Sequence, residues 1–469
     1  MKEINVRIQG RHVQVLREHF FKKTKVERGA VMLFGAHRAN TPDDKVGHFR
    51  FTSHSLDLLN EQDLLSNSPT HVTWSNERLF PALKAAKKSH LTVAIVHSHI
   101  STAAYFSSVD DDGEAGFCEL IRHRNGPTST LLSIVMDANG AIRAREWQSP
   151  IYQIPVDKIS VIGDTLEFHF TKDLPTTNPI FERQALAFGP ALASTLAQLT
   201  IAVVGCGGTG SAVASLLARL GVGNLILIDP DTVEITNLNR LHGATMQDAI
   251  SHANKVDAVS RHINSMGLGT KIRSLKSYVS DPRAWDLLRC SDIIFGCTDD
   301  NSGRLLINRF AYFYVVPVID VGLGIELSRA TPPRIEALDG RVTVLQPGAT
   351  CLLCRGVIRQ DLARAEALKR ADPLEYSRQK DEAYVVGEGN PNPSVVTFTT
   401  EVATMAVNEL LQRIVGYRGR GGSTAQRTRL FHKMHDLRPG EQPRPDCPVC
   451  GNDYYWGRAD MTPFLDQTW

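Results

Sequence analysis

The 469-residue sequence predicts an α/β protein with two domains. From residue 199, the runs LTIAVVG, SAVASLLARL and LILIDP read as strand, helix and strand with a glycine turn after the first strand. This order is typical of a βαβ unit in a parallel, doubly wound sheet. Residues 1–150 instead mix short strand-like and helical runs, which favours a separate α/β domain in front of it.

Composition and charge limit the classes of partner and cellular location that we expect for this chain. A net charge of +2 provides no field that would attract nucleic acid or a membrane surface, and we expect neither as a partner. No apolar run approaches the roughly 20 residues needed to span a bilayer. The opening run MKEINVRIQGRHVQV lacks the apolar stretch of a signal peptide, so a cytoplasmic location is expected.

The first domain is expected to cover residues 1–155. Its run VAIVHSHI, at 93–100, reads as a buried strand, and NERLFPALKAAKK, at 76–88, as the helix before it. Residues 156–178 end in the polar, proline-bearing run KDLPTTNP and are predicted to be a linker. The second domain would then cover residues 179–469, with the heavily charged stretch 359–384 forming exposed helix or loop.

Four residues in the first domain have the spacing H-x-H-x7-S-x-x-D: His97, His99, Ser107 and Asp110. Two histidines one residue apart at a strand end project to the same side, and Asp110 can complete a three-ligand zinc site. Three protein ligands are typical of a catalytic zinc, which lowers the pKa of water. Glu27 is the candidate proton acceptor, and Ser107 is the candidate hydrogen-bond donor to an oxyanion.

Glu27 with this spacing resembles the JAMM (JAB/MPN) metalloisopeptidases over about residues 1–150. A bare H-x-H is more often two ordinary strand histidines, whereas the whole pattern is much more specific. The resemblance implies a JAB/MPN α/β zinc-peptidase fold that hydrolyses the isopeptide or peptide bond after a ubiquitin-like carboxy terminus. Ile100 stands where many members have proline; it is not a ligand, so the difference concerns the loop.

A glycine-rich turn in the second domain lets backbone N–H groups approach phosphate at a helix amino terminus. Its candidate glycines are Gly205, Gly207, Gly208 and Gly210. Asp229 ends the next strand, where a carboxylate can bind ribose hydroxyls. Further polar residues follow this unit or precede it: Asn237, Arg240, Lys255, Asp299, Arg304 and, upstream, Arg183-Gln184.

The series resembles the ThiF/MoeB family of adenylating enzymes, which includes ubiquitin-activating enzymes, over about residues 180–455. The resemblance implies a Rossmann-like doubly wound adenylation domain that uses ATP and Mg²⁺. Asp229 would hold the ribose, Asp299 would bind Mg²⁺, and Arg183 would be an arginine finger that reaches the ATP of a neighbouring protomer in a homodimer. The triphosphate would be held by Asn237, Arg240 and Lys255.

Two C-x-x-C pairs, Cys351/Cys354 and Cys447/Cys450, can close a tetrahedral four-cysteine zinc site. Such a site has no open coordination position, so this second zinc would be structural and would link the end of the chain to the sheet domain. Many ThiF/MoeB proteins resemble the chain in this feature. Unrelated thiols or a redox pair are the alternative.

Some family members carry a thioester-forming cysteine in a crossover segment, which here corresponds to roughly residues 375–395 and contains no cysteine. The remaining cysteines, Cys118, Cys206, Cys290 and Cys297, are expected to be buried. An outside nucleophile would then accept the acyl group, from a conjugating enzyme or a sulfur donor. A hydroxyl of this chain is the other route, with candidates Ser377, Ser394, Thr397, Thr399 and Thr400.

Together the two resemblances predict a bifunctional enzyme of a prokaryotic ubiquitin-like modification pathway. Pathways of this type include some that are associated with phage defence. One domain would process or remove a ubiquitin-like (β-grasp) protein, and the other would adenylate its terminal glycine. The chain ends FLDQTW, so the carrier is expected to be separate. Alternatives are activation of a sulfur carrier, a non-catalytic scaffold that binds ubiquitin-like proteins and, least favoured, an NAD-dependent dehydrogenase.

Overall fold

The computed structural model describes residues 2–22, 25–39, 47–101, 103–172, 178–381, 393–419 and 421–459. Contacts divide the chain into two compact units. The first comprises Met1–Asp173 together with Phe313–Val315 and Tyr454–Thr462. The second comprises Leu174–Tyr312, Val316–Asp453 and Pro463–Trp469.

The first unit is built on a nine-stranded mixed sheet with strand order β11-β10-β1-β3-β2-β6-β7-β8-β9, beside a hairpin of β4 and β5. Its strands are β1 (Lys2–Gln9), β2 (Gly29–Ala39), β3 (Gly47–Leu58), β4 (Leu64–Asn67), β5 (Val72–Trp74), β6 (Thr92–His99), β7 (Leu131–Asp137), β8 (Ile142–Ser149), β9 (Tyr152–Pro155), β10 (Lys158–Ile162) and β11 (Leu166–Phe170). Its helices are α1 (Gly10–Phe21), α2 (Phe80–Ser89) and α3 (Ser108–Asn125), with short 3₁₀ turns at Glu61–Asp63 and Asn76–Leu79.

Helices cover both faces of this sheet, because its strands are apolar on both sides. In β2, Met32 and Phe34 pack into a core that includes Leu16 and Phe20 of α1. The alternate residues of β2 belong to a second core with α2 and α3, formed by Val31, Leu33, Leu83, Ala86, Cys118 and Ile121 among others. Burial on both faces explains why the central strands read as continuous apolar runs.

The predicted linker at 156–178 is wrong for most of its length, because β10 and β11 are strands of the first sheet. β10 pairs in parallel with β1, and β11 pairs antiparallel with β10. The alternating run KISVI, all of it buried, is the physical reason. Residues 173–177 of the predicted linker lie outside the described part of the chain.

The first unit also includes a segment from near the end of the chain, which the sequence boundaries of 1–155 and 179–469 did not anticipate. Gly35 donates its backbone N–H to Gly457, and the Thr52 hydroxyl donates to the same carbonyl at 2.9 Å. A Cβ on Gly35 would lie 2.3 Å from that oxygen, so glycine is required for this close approach.

The second unit contains an eight-stranded sheet of order β14-β13-β12-β15-β16-β17-β18-β19. Its strands are β12 (Thr200–Val204), β13 (Asn224–Ile228), β14 (Lys271–Leu275), β15 (Ile293–Gly296), β16 (Val318–Leu327), β17 (Ile335–Leu345), β18 (Gln426–Leu430) and β19 (His435–Leu437). Its helices are α4 (Glu182–Phe188), α5 (Pro190–Gln198), α6 (Gly208–Arg219), α7 (Met246–Ile250), α8 (Lys255–Ser265), α9 (Pro282–Cys290), α10 (Asn301–Phe313), α11 (Gln360–Ala371), α12 (Pro373–Asp381) and α13 (Val396–Val415). Short 3₁₀ turns lie at Pro179–Phe181, Ile235–Asn237 and Phe431–Lys433.

The predicted doubly wound core is confirmed. Strands β14, β13, β12, β15 and β16 run parallel, and the strands from β16 to β19 pair antiparallel. Because parallel strands end at the same edge of the sheet, the segments after β12, β13 and β15 meet there. Among the helices of the described residues, none is both long enough and apolar enough to cross a bilayer.

Candidate functional site

The two predicted zinc-ligand histidines, His97 and His99, lie on β6, and both are buried. Their Nε2 atoms are 3.2 Å apart. Asp110, in the first turn of α3, places one carboxylate oxygen 3.3 Å from His97 Nε2 and the other 3.7 Å from His99 Nε2. The three side chains therefore converge, which the sequence spacing predicted.

This separation of donor atoms fits a tetrahedral zinc ion. Ligand atoms about 2.0–2.1 Å from zinc lie about 3.3–3.4 Å apart in a tetrahedron. Nitrogen and carboxylate oxygen are ordinary zinc donors, and three of them leave a fourth position for another ligand. The adjacent imidazoles of His97 and His99 outweigh burial and hold the pKa of Asp110 well below its usual range, so the carboxylate is ionised as a ligand must be.

Strand pairing explains how Glu27 reaches this cluster from a distant part of the sequence. Gly29 of β2 pairs with His97 in an antiparallel register, so the residue two positions earlier comes opposite His99. The Glu27 carboxylate is buried and 4.0 Å from His99 Nε2. Burial raises the pKa of Glu27 to about 7, against the effect of both histidines. A carboxylate with this pKa suits general acid–base catalysis near neutral pH.

Ser107 has a structural function in this unit. Its hydroxyl donates to Asp110 at 2.7 Å and accepts from the Asp110 backbone N–H at 3.2 Å, which makes a capping box at the start of α3. The cap fixes the rotamer of the predicted ligand Asp110. Its predicted role as a donor to an oxyanion remains a prediction, because the hydroxyl proton is directed at Asp110 here.

A buried ion pair braces α3 one turn beyond Asp110. Arg145 of β8 contacts Glu114 with Nη2 at 2.6 Å and Nε at 2.7 Å, and the Trp147 indole donates to the same carboxylate oxygen at 2.7 Å. The Arg145 guanidinium also lies 3.9 Å from the ring centroid of Phe106, the residue before Ser107. Sequence inspection did not single out this set, because each residue alone carries no motif.

In the second unit, the glycine loop after β12 has the geometry that phosphate binding requires. Gly205 has a φ of +90°, and a Cβ on Gly210 would lie 1.8 Å from the Gly205 carbonyl oxygen. A Cβ on Gly208 would come within 3.3 Å of the Arg240 side chain, so this arginine packs directly over the loop. No side-chain hydrogen bond caps α6 at Gly207, so the backbone N–H groups at its amino terminus can bind an anion, with Arg240 as a nearby cation.

Asp229 and Lys255 meet at the carboxyl end of β13. The Asp229 carboxylate accepts from the backbone N–H groups of Cys206, at 2.6 Å, and Asp231, at 2.8 Å. Lys255 donates to Asp231 at 2.7 Å. Burial opposes ionisation of Lys255, but Asp229 and Asp231 outweigh it and raise its pKa. A charged lysine therefore stands beside the glycine loop.

These residues line one cavity of about 480 Å³. It is large enough for a nucleotide, since ligand pockets usually measure about 300–1,000 Å³. The predicted residues that line it are Gly205, Gly207, Gly208, Asp229, Asn237, Arg240, Lys255 and Asp299. Asp299 is exposed at the cavity. Gly210 is buried beneath the loop, where it permits the close approach described above.

Arg183 does not belong to this cavity lining. It is exposed on α4, and its predicted role requires a neighbouring protomer.

The cavity has a wall that the sequence analysis missed. Arg370 of α11 and Tyr278, after β14, both line it, together with Asp300. The stretch 359–384 was expected to be exposed helix or loop, and through residue 381 it forms α11 and α12. The expectation of exposure is wrong for Arg370, whose side chain is only 21% exposed. Clustered charges in a sequence do not reveal which of them faces a cavity.

The four predicted cysteines converge in the second unit. Cys351 Sγ lies 3.6 Å from Cys447 Sγ, and Cys450 Sγ lies 3.6 Å from Cys354 Sγ. All four sulfurs lie within 4.8 Å of one another. Zinc with four sulfurs at about 2.3 Å requires separations of about 3.8 Å, so the donor set and its spacing fit a closed structural zinc site.

The thiols outside this cluster are poor nucleophiles. Cys118, Cys206 and Cys290 are buried as expected, whereas Cys297 is only partly buried, and desolvation raises the pKa of Cys118, Cys206 and Cys297. A raised pKa lowers the fraction of reactive thiolate. The predicted absence of a cysteine around 375–395 is a property of the sequence, and residues 382–392 lie outside the described residues.

Of the candidate hydroxyls, Ser394 and Thr399 line the cavity. Thr399 is buried and donates to the Val396 carbonyl, and Ser377 donates to the Pro373 carbonyl. Thr397 is exposed. Thr400 has a histidine partner that the sequence did not reveal: His242 Nε2 lies 3.1 Å from its hydroxyl. Burial lowers the pKa of His242, which keeps the imidazole neutral.

The parallel sheet, the glycine loop and the acidic strand end together define a nucleotide-binding α/β unit of the doubly wound class. The chain belongs to the ThiF family, whose pattern matches residues 181–449 and thus more than half of its length.

Curated relatives include ubiquitin-like modifier-activating enzyme 5 of Oryza sativa subsp. japonica, which is 28% identical over 268 residues, covering 54% of this chain and 55% of the relative. The protein of the same name from Culex quinquefasciatus is 27% identical over 265 residues, covering 53% and 58%. The chain therefore spans about half the length of the curated relatives it matches.

Among solved structures, E. coli MccB with ATP is 20% identical, with a TM-score of 0.42, covering 59% of this chain and 75% of that one. E. coli MccB with AMPCPP and SeMet MccA is 18% identical, with a TM-score of 0.44, covering 59% and 77%.

Proposed function

We propose that this chain is a bifunctional enzyme that acts on a ubiquitin-like protein. The second unit adenylates the carrier's terminal glycine with ATP and Mg²⁺, and the first hydrolyses the peptide or isopeptide bond that follows that glycine. The observation that supports the adenylating activity is the cavity in which the glycine loop, Asp229, Lys255 and Asp299 meet. Membership of the ThiF family and similarity to ubiquitin-like modifier-activating enzymes support the same activity.

In adenylation, the carrier carboxylate attacks the α-phosphorus of ATP and pyrophosphate leaves. Attack of an anion on an anion requires nearby cations, and Lys255 and Arg240 provide two of them beside the glycine loop. Asp299 would hold Mg²⁺, which supplies further charge neutralisation at the phosphates. Asp229 binds the ribose hydroxyls through a carboxylate already oriented by two backbone N–H groups.

In hydrolysis, His97, His99 and Asp110 would hold zinc, which acts as a Lewis acid and lowers the pKa of water. Glu27 accepts the proton of the attacking water and delivers it to the leaving amine. Its pKa of about 7 allows it to give and take a proton near neutral pH. The observation that carries this activity is the convergence of the three donor side chains with Glu27 beside them.

The acyl group passes to an outside nucleophile, from a conjugating enzyme or a sulfur donor, because the raised pKa values of Cys206 and Cys297 leave little reactive thiolate near the cavity. The specific observation in favour of an internal acceptor is the His242–Thr400 hydrogen bond. An ester on Thr400 would survive thiols and be cleaved by mild base, whereas a thioester would be cleaved by thiols. This chemistry separates the two routes by intact mass.

ATP–pyrophosphate exchange tests the adenylating activity. The purified chain is incubated with ATP, Mg²⁺, labelled pyrophosphate and a candidate β-grasp protein. Exchange that depends on the carrier's terminal glycine supports the proposal. No exchange with any carrier favours the non-catalytic scaffold. Exchange followed by conversion of the carrier to a thiocarboxylate, in the presence of a sulfur donor, favours sulfur-carrier activation.

The proposal includes a cellular role in defence against phage. A role in phage defence predicts that deleting the gene lowers resistance to infection, and that Asp299→Ala lowers it as much as deletion does. Equal plaque numbers with and without the gene would remove defence from the account, while leaving both enzymatic activities open to the assays above.

A further inference from the structure

We propose that Arg370 and Tyr278 form the nucleobase side of the nucleotide cavity, and that α11 is thereby a component of the nucleotide site. This inference rests on the proposed use of ATP and names the residues that meet its purine base. Neither residue belongs to the predicted nucleotide-binding set. Both are cavity-lining residues from elements outside the glycine loop.

Helix α11 is docked on the segment that follows Asp299. Glu366 accepts from the Ser302 backbone N–H at 2.8 Å and from the Asn301 side chain at 3.2 Å. These contacts place a carboxylate at the amino terminus of α10, where the helix dipole favours it. One turn further along α11, Arg370 lies on the same face because residues four apart share a face.

Arg370 contacts Asp300 and Ser302 at this helix start. Its Nη1 donates to Asp300 at 3.1 Å, and its Nη2 donates to the Ser302 hydroxyl. Asp300 in turn accepts from the Gly303 backbone N–H at 2.9 Å. The guanidinium is therefore held in one position beside the cavity, and little side-chain entropy remains to be lost when a ligand contacts it.

The strand order places the base beside Tyr278, and Arg370 reaches this side of the cavity through its contact with the Tyr278 ring. Phosphates bind at the glycine loop after β12, and Asp229 after β13 binds the ribose. β13 lies between β12 and β14, so a nucleotide that follows this order extends its base toward the end of β14. Tyr278 follows β14, lines the cavity and is 45% exposed, so part of its ring is accessible to a ligand there.

The Arg370 guanidinium lies 4.9 Å from the centroid of the Tyr278 ring. Because stacked planar groups lie about 3.5 Å apart, a base cannot fit between the Arg370 guanidinium and the Tyr278 ring at this distance. The base instead packs on the cavity side of the pair. A planar guanidinium stacks on aromatic rings whereas an ammonium does not, so arginine and lysine are not equivalent at this position.

The experiment measures binding of two probes by titration calorimetry: Mg²⁺·ATP and inorganic tripolyphosphate, which lacks ribose and base. Arg370→Ala, Arg370→Lys and Tyr278→Ala are compared with the unchanged chain. The matched control is Arg378→Ala, which removes an arginine of α12 that pairs with Glu375 and is 61% exposed. Circular dichroism and the melting temperature check that every variant is folded.

We expect each of the three variants to bind ATP about tenfold more weakly and tripolyphosphate within twofold of the unchanged chain, because only a contact with the base is lost. Arg378→Ala should bind both probes normally. If Arg370→Lys binds ATP as tightly as the unchanged chain, Arg370 serves only to hold the Asp300 segment and the inference is wrong. If Arg370→Ala loses affinity for tripolyphosphate as much as for ATP, Arg370 contacts the phosphates and the inference is also wrong. If the unchanged chain binds ATP and Arg370→Ala binds it equally well, only this inference fails. Absence of ATP binding by the unchanged chain would remove the proposed function as well.

Discussion

Two buried carboxylates show how backbone position sets chemistry at the scale of single residues. Burial raises the pKa of Asp229, against the effect of Lys255 and of two backbone N–H donors, and those two donors hold its carboxylate in one orientation as a hydrogen-bond acceptor. Burial dominates at Glu27 and raises its pKa to about 7, so it can exchange protons near neutral pH. The same functional group is thus prepared for binding in one unit and for proton transfer in the other.

Asp299→Ala should abolish ATP–pyrophosphate exchange while leaving hydrolysis by the first unit intact. The carboxylate is the proposed Mg²⁺ ligand, and loss of a charge-stabilising group of this kind typically costs about 10²–10³-fold in rate. Exchange rate and cleavage of a carrier with a carboxy-terminal extension are both measured. Loss of both activities from a folded variant would contradict the assignment of Asp299 to one reaction.

Glu27→Ala should have the opposite effect. Removing a general base typically costs about 10²–10⁴-fold in rate, whereas the three proposed zinc ligands remain in place. Cleavage should therefore fall by that factor while the zinc content and the ATP–pyrophosphate exchange stay unchanged. Cleavage at the normal rate would exclude Glu27 as the proton acceptor.

At the scale of elements, α3 shows how a helix positions a ligand. Its capping box fixes Asp110, and the buried Arg145–Glu114 pair fixes the next turn against β8. Arg145→Met leaves the Glu114 carboxylate buried without its cation, which costs about 3–5 kcal/mol of stability. Denaturant unfolding should show this loss, together with weaker zinc binding.

The matched control for this pair is the double variant Arg145→Met, Glu114→Gln, which leaves no buried charge unpaired, because the other partner of Arg145, Asp111, is 52% exposed. It should recover most of the lost stability, because replacing both partners of a buried pair is often close to neutral. Equal stability of the single variant and the unchanged chain would show that the pair does not brace the helix.

The pairing of β11 with α1 gives a pH-dependent contribution to stability. Burial opposes ionisation of Glu167, but the nearby His169 ring and the two hydrogen bonds from Arg17 outweigh it and lower the pKa from 4.5 to about 2. The stabilisation is therefore complete above pH 4.5 and is lost as the pH falls toward 2. Glu167→Gln should cost about 1 kcal/mol of unfolding free energy at pH 6, after allowance for solvent screening, and much less at pH 3. Glu61→Gln, an exposed glutamate, is the control, and a pH-independent cost would contradict the assignment.

The elements also show what a sequence can predict. The motifs at strand ends were found because strand pattern and ligand chemistry coincide there: His97 and His99 end β6, and Asp229 follows β13. The contributions of Arg370 and His242 were not found. Their positions depend on how α11 packs on the start of α10 and how α13 packs near α6, which no local pattern encodes.

At the scale of the whole molecule, the first unit is assembled from stretches far apart in the chain. The His54 ring donates to the Trp456 carbonyl at 2.8 Å, and Arg7 donates to the Tyr314 carbonyl at 3.1 Å. Backbone carbonyls make these contacts, so side-chain identity gives no signal of them. For this reason the predicted boundaries missed the segments Phe313–Val315 and Tyr454–Thr462.

Metal analysis should find two zinc ions per chain. Cys447→Ser with Cys450→Ser should remove one and destabilise the second unit, since a structural zinc site contributes directly to folding. His97→Ala with His99→Ala should remove the other, with little effect on the ATP–pyrophosphate exchange. Loss of one zinc without any change in unfolding from the cysteine variant would contradict a structural role.

The proposed homodimer predicts complementation between inactive variants. Arg183→Ala lacks the arginine finger and Asp299→Ala lacks the Mg²⁺ ligand, so each alone should be inactive in exchange. Mixed dimers contain one intact site of two, and random mixing makes half of the dimers mixed. An equal mixture should therefore regain about a quarter of full activity. No recovery, despite subunit exchange seen by labelled tags, would place Arg183 outside the neighbouring site.

Intact mass spectrometry of a ubiquitin-like carrier with a carboxy-terminal extension tests most directly the claim that one chain both processes and activates the same carrier. The unchanged chain should remove the extension without ATP and, once Mg²⁺·ATP is added, add AMP to the trimmed carrier or form a covalent adduct with it. Glu27→Ala should leave the extension in place, and Asp299→Ala should stop at the trimmed carrier. A carrier that gains AMP but is never trimmed, or is trimmed but never activated, would contradict the account of two activities on one carrier.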